Sequence, residues 1–212
     1  MGAAELLAPA RLGPHLLPGP QPTTMHPSLA GWERWDFREA NRYLAALGDV
    51  PGVTEEDLLE ALTLAPAIRQ RFTESSHVEY RGRRITWFHY ETLLWTLGES
   101  FRRQLKRHRA FRRRPSLFIP VAGLCEDQAY GKGRESFTML LGQYGGPATA
   151  PVLLRLLSDP DVHGQALYAL RLLGDPAGIP QARSLLTSSR TWVRGEARKY
   201  LAKVTSRPGT GS

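Results

Sequence analysis

Residues 151–174 read PVLLRLLSDPDVHGQALYALRLLG, and this stretch decides the fold. Pro151 to Leu157 makes a helix of fewer than about three turns that is apolar on more than one side, and such a helix is unstable alone in water. Asp159-Pro160 suits a turn and the start of a new helix. From Gln165 to Leu173 the chain turns Ala166, Leu167, Ala169, Leu170 and Leu173 toward a partner. The small residues Gly164, Ala166 and Ala169 let two helix backbones come close. Each helix pair built this way keeps apolar surface uncovered until a neighbour stacks on it, which is the logic of a repeat array.

The flanking sequence supplies the neighbours. Leu140-Leu141-Gly142 recurs as Leu172-Leu173-Gly174, Gly146-Pro147 as Asp175-Pro176, and Leu156-Leu157 as Leu185-Leu186. Gly164-Gln165-Ala166 recurs as Gly195-Glu196-Ala197, and Leu170 as Leu201. The offsets cluster near roughly 30 residues, the length of two short helices and two turns. In the last unit Asp159-Pro160-Asp161 has become Ser188-Ser189-Arg190. The closing helix, Trp192 to Val204, carries Arg194, Arg198, Lys199 and Lys203 on one side, as a terminal cap does.

Leu173-Gly174-Asp175-Pro176-Ala177 and Leu157-Ser158-Asp159-Pro160-Asp161-Val162 resemble the HEAT-repeat family, in the short bacterial form also seen in phycobilin-lyase-type repeats. The resemblance covers residues 134–204. Where the family often has Val-Arg after the Asp-Pro turn, this chain has Val162-His163 and then Val193-Arg194. The resemblance implies an α-solenoid of helical hairpins that serves mainly as a scaffold for proteins and, in some members, for nucleic acids.

Upstream, residues 1–30 read as a disordered, proline-rich leader. No basic segment precedes its apolar start, and Pro9, Pro14, Pro18, Pro20 and Pro22 would break a signal-sequence helix, so secretion is not expected. Trp32, Trp35 and Phe37 open a helical region over 31–114. Asp36 caps a helix with Ala40, Tyr43, Leu44 and Leu47 at helical spacing, and Gly48 is expected to end it in the left-handed conformation. A second helix opens at Thr54, with Glu55, Glu56 and Asp57 at the positive end of its dipole. Leu58, Leu59, Leu62 and Ile68 form its buried side, and Pro66 either kinks it or starts a new helix. Val78-Glu79-Tyr80 and Ile85-Thr86-Trp87 flank Arg81-Gly82-Arg83-Arg84, the pattern of a small hairpin over 77–88. A long helix follows, with Tyr90, Leu94, Leu97, Phe101, Leu105 and His108 on one face, and Pro115 is expected to end it. Residues 115–133 read as a connector and 205–212 as a flexible tail. The fold class is thus mainly α: an α-solenoid of HEAT-like hairpins behind an N-terminal helical region with one small β-hairpin.

The 212 residues carry a net charge of +8 and a pI near 10.1. The charge is concentrated, because Ser100 to Arg114 holds eight Lys or Arg and no acid. These are Arg102, Arg103, Lys106, Arg107, Arg109, Arg112, Arg113 and Arg114. Some cations serve the negative end of a helix dipole. Eight without an acid repel one another and ask for an anionic partner, and guanidinium groups suit bidentate phosphate contacts. Arg81, Arg83 and Arg84 of the hairpin join this anion-binding set. A helix followed by a basic hairpin also resembles, in outline, a winged helix-turn-helix. Nucleic acid and an acidic protein surface remain open as partners, and no membrane is expected.

Catalytic patterns are sparse. There is no P-loop or dinucleotide-binding glycine pattern, and Tyr130-Gly131-Lys132-Gly133 lacks the spacing. The single cysteine, Cys125, rules out a disulfide framework and a multi-thiolate zinc site, and its neighbours Glu126 and Asp127 oppose thiolate formation. That usage fits a reducing cytoplasm. No run approaches the ~18 apolar residues of a membrane span. A hairpin could bring His77 and His89 together, but no carboxylate is obviously placed to complete a metal site, so neither metal nor cofactor is expected. HEAT-like iron hydroxylases carry His-Glu pairs, whereas here His163 precedes Gly164. HEAT-like DNA glycosylases use aromatics and an acid on a basic concave face, a role open to Trp32, Trp35 and Asp36. The expectation is a non-catalytic binding or scaffold protein, with a glycosylase-type enzyme acting on DNA as the alternative.

Overall fold

Helix starts are set locally. In the computed structural model, which describes residues 35–73, 77–80, 83–86 and 89–206, Asp36 caps α1 (Phe37–Leu47). Its carboxylate accepts the Glu39 N–H while Glu39 accepts the Asp36 N–H, each at 2.8 Å. Ala40, Tyr43, Leu44 and Leu47 are buried. Gly48 does not end α1 in the left-handed conformation; its φ is −64°. Glycine serves a different purpose here, since a side chain would collide with the Arg103 guanidinium on its way to the Ala45 carbonyl. Thr54 and Asp57 form the same reciprocal cap on α2 (Glu55–Leu62). A separate α3 (Leu64–Arg71) places Pro66 in its first turn, where a missing N–H costs nothing. Strands β1 (His77–Tyr80) and β2 (Arg83–Thr86) pair antiparallel, with Tyr80 opposite Arg83. The leader, Trp32, Arg81 and the tail beyond Ser206 lie outside the described residues.

α4 (His89–Arg107) buries Leu93, Leu94, Leu97, Phe101 and Leu105. It stops at Arg107, and His108 stacks on Phe111 in the following 3₁₀ turn instead of extending the helix face. Pro115 does not end this helix but begins another, α5 (Pro115–Glu126), at a position that suits its fixed φ. The expected connector 115–133 is therefore largely helical. Leu117, Phe118, Val121, Leu124 and Cys125 are buried, and a 3₁₀ segment (Gln128–Arg134) completes it.

The remaining helices are α6 (Glu135–Leu140), continued by a π turn over Leu141–Gly145, then α7 (Ala150–Leu156), α8 (His163–Leu173), α9 (Ile179–Ser184) and α10 (Thr191–Thr205). Helices α4, α6, α8 and α10 lie side by side and run in the same direction. Gly133 abuts Leu94, Gly98 abuts Ser136, and the Phe101 and Phe137 rings meet edge-on at 5.8 Å. Gly142 lies against Ala169, Gly164 lies beneath the Trp192 ring, and Arg171 reaches Glu196 at 3.2 Å. A Cβ on Gly142 would sit 2.4 Å from the Ala169 Cα, so this approach requires glycine.

Arg134 binds the array together. Its side chain is fully buried. Nε donates to the Gly131 carbonyl at 2.7 Å, and Nη1 donates to the Cys125 carbonyl at 3.0 Å and to Asp159 Oδ2 at 2.7 Å. Asp161 adds an ion pair at 3.7 Å. The end of α5, the segment before α6 and the α7–α8 turn thus meet on one guanidinium. No helix among the described residues is long and apolar enough to cross a membrane.

Two stability outcomes follow, both read by urea denaturation. Asp159→Ala strands a buried cation and lowers stability by about 3–5 kcal/mol, whereas Arg134→Met with Asp159→Leu costs less than that single change. Gly142→Ala forces α6 from α8 and costs about 1–3 kcal/mol.

Candidate anion-binding face

Parallel stacking collects the N-termini of α4, α6, α8 and α10 along one rim and their C-terminal halves along the other. Five of the eight clustered cations are committed to the fold. Arg102 pairs with Glu99 at 2.8 Å. Arg103 donates to the Ala45 carbonyl and to Ser100 Oγ. Arg107 holds the Gly48 carbonyl and Asp49. Arg112 donates to the Leu105 and Lys106 carbonyls at 2.8 and 3.0 Å, closing the end of α4, and its guanidinium lies 4.9 Å from the Tyr144 ring centre. Arg114 donates to the Ala110 carbonyl and pairs with Glu55 at 2.9 Å. The acids that the stretch lacks arrive from Glu99, Asp49 and Glu55.

Lys106, Arg109 and Arg113 are exposed, and their side chains have no hydrogen-bond or ion-pair partner among the described residues. Arg113 has φ 61°, a strained value for a residue with a side chain. Its N–H donates to the Tyr144 carbonyl at 2.8 Å, which closes the π turn, and its side chain extends beside Gly146. Arg83 and Arg84 fall on β2, where only the backbone is described.

Sequence reading missed the aromatic part of this face. Tyr168 on α8 is half-buried, and the Arg171 guanidinium lies 5.1 Å from its ring centre. Gln143 Nε2 donates to the Tyr168 hydroxyl at 3.1 Å, linking the two tyrosines. Arg102 is held above its ordinary pKa by its hydrogen bond to Glu99, and it also feels the Tyr144 and Tyr168 hydroxyls. The acid on this side, Glu196, is matched by Arg171 at 3.2 Å and Lys199 at 2.8 Å. A row of guanidinium groups and tyrosine rings therefore runs from the end of α4 across the π turn onto α8. The available signal was a pair of tyrosines, Tyr144 and Tyr168, in otherwise Leu-rich helices.

The opposite rim is acidic and partly buried. The Lys132 N–H donates to Glu91 Oε1 at 2.8 Å. Burial pushes the Glu91 carboxyl up, and pushes Glu135 up to about 7, while the Arg190 and Lys132 charges and the Gln165 side chain pull Glu135 back down. Arg190 holds the Pro160 carbonyl at 2.9 Å and stands 4.0 Å from Glu135. Burial, and then Arg190, lower the His163 pKa. Among the described residues no three His, Cys, Asp or Glu side chains converge to hold a metal. Burial raises the Cys125 thiol to about 12, which makes it a poor nucleophile. The Trp35 ring meets Tyr43 in a tilted contact at 4.8 Å and Asp36 caps α1, so both serve the fold. A shallow groove of about 500 Å³, bounded by Leu59, Pro66, Pro120, Leu124 and Tyr130, is lined mainly by apolar side chains. Compared with models of protein families, with curated proteins and with solved structures, the chain has no significant match.

Because the folded protein holds the Glu135 proton above the ordinary value of 4.5, the folded state binds more protons than the unfolded one. Stability is therefore greatest below pH 4.5 as far as this group is concerned and falls as pH rises through about 7. The effect is worth up to about 3 kcal/mol. Thermal unfolding of Glu135→Gln between acid and neutral pH checks this: the variant loses that part of the slope and melts above the wild type at alkaline pH.

Proposed function

We propose that this chain is a non-catalytic binding protein that engages a polyanionic partner through the Arg–Tyr face, with the helical stack as its scaffold. The observation that carries the reading is that Lys106, Arg109 and Arg113 stay exposed and unpaired beside the arginine–tyrosine row. A stack of parallel second helices joined by short first helices is the arrangement that a HEAT-like solenoid implies, and the Asp159-Pro160 turn with its buried arginine supports it. Arginine suits this work because its planar fork binds phosphate or carboxylate in two places and also lies flat on aromatic rings. The local acids Glu99, Asp49 and Glu196 are each matched by cations, so the face keeps a positive excess.

Binding of labelled polyphosphate and of DNA, followed over a range of salt, tests the proposal. Affinity is expected to fall steeply with salt. Replacing Lys106, Arg109 and Arg113 together by Ala should weaken binding by about tenfold or more and reduce the logarithmic salt slope by about three, without changing the melting temperature by more than a few degrees. Salt-independent binding, or a triple variant that binds like the wild type, sinks the proposal.

A further inference from the structure

We infer that the polyanion is a single-stranded nucleic acid whose bases stack on the Tyr144 and Tyr168 rings; this rests on the binding reading above. A ligand recognised only by charge needs cations alone. This face offers more. Tyr144 and Tyr168 are half-buried, each has a guanidinium carbon over its ring at 4.9 and 5.1 Å, and Gln143, next to Tyr144 in the chain, donates to the Tyr168 hydroxyl. Arg102 lies near both hydroxyls, and Arg113 and Lys106 stand exposed at the same end of the stack.

Aspartate and glutamate side chains have no flat apolar face to place on such rings, whereas a nucleotide brings a phosphate and an aromatic face together. Alternating cations and aromatic platforms are the means by which proteins hold single strands without reading sequence. A duplex fits less well, because its base faces are already covered by neighbouring bases. The two rings sit on adjacent packed helices, whose axes lie about 8–10 Å apart. Bases that reach both rings must be splayed beyond ordinary stacking, which a single strand permits.

The full chain is titrated with a labelled oligothymidylate, with an abasic deoxyribose-phosphate strand of the same length, and with an oligoglutamate. The oligothymidylate is expected to bind about tenfold or more tightly than the abasic strand. Tyr144→Leu and Tyr168→Leu should each erase most of that difference and leave abasic binding unchanged, while Tyr144→Phe and Tyr168→Phe keep it. The wild-type comparison needs no variant, so a misfolded Leu variant does not spoil the test. Equal binding of thymidylate and abasic strands overturns the inference and leaves the polyanion reading intact. Tighter binding of oligoglutamate than of either strand also overturns it and assigns the face to an acidic protein. Failure of all three ligands to bind overturns both readings.

Discussion

A guanidinium with no exposure to water dictates what surrounds it. Arg134 fills its Nε and Nη1 donors from the Gly131 and Cys125 carbonyls and the Asp159 carboxylate, while Nη2 has only the Asp161 carboxylate at 3.7 Å. The end of α5 and the segment before α6 must therefore meet the α7–α8 turn, 25 residues further on, at one point and in one register. A hydrophobic plug of equal volume can match such a pair in stability, but it lacks directional bonds. The same logic accounts for the imperfect last repeat. Arg194, in the first turn of α10, holds the position that His163 has in the preceding unit, and the acids of the Asp159-Pro160-Asp161 turn have been replaced by Ser188-Ser189-Arg190. With no carboxylate to meet, Arg194 donates to the Ser188 and Ser189 carbonyls instead.

Fixing the register also fixes the distribution of charge. Parallel helices present their positive dipole ends on one rim and their negative ends on the other. Glu91 and Glu135 lie in the first turns of α4 and α6, and the arginines crowd the ends of α1 and α4. Much of the basic stretch is consequently spent on backbone carbonyls: Ala45, Gly48, Leu105, Lys106 and Ala110 each accept from an arginine side chain. Among the described residues, only Lys106, Arg109 and Arg113 of this stretch have no such bond.

The sequence disclosed the features that depend on neighbours a few residues away. The reciprocal caps of α1 and α2, the short helix before Asp159-Pro160, and the small residues beneath Ala169 and Trp192 are all local or periodic signals. Features set by distant contacts were hidden. Residues 115–126 passed for a connector because two prolines and an all-round apolar surface mask the helical period, and what makes the segment a helix is burial of Phe118 and Leu124 in the stack. Gly48 looked like a left-handed cap, but its missing side chain is demanded by Arg103, a residue on another helix. The acid-free run from Ser100 to Arg114 overstated the free charge, since its counterions are Glu99 just before it on α4, Asp49 in the loop after α1 and Glu55 on α2. The tyrosines escaped notice because nothing in their local sequence says that guanidinium groups will lie over them.

Arg113 shows how the fold itself fixes the place of an exposed cation. A non-glycine residue at φ 61° costs about 1–3 kcal/mol, and the bond from its N–H to the Tyr144 carbonyl returns about 0.5–1.5 kcal/mol. Glycine would keep the same bond without the strain, so stability alone does not explain a side chain there. Position does. The backbone of residue 113 is tied to the π turn that carries Tyr144, while the residue before it lays its guanidinium on the same ring. Ring, stacked arginine and free arginine are thereby held as one unit. A cation on an untethered loop would have to be ordered when a partner arrives, and this one has already been ordered by folding.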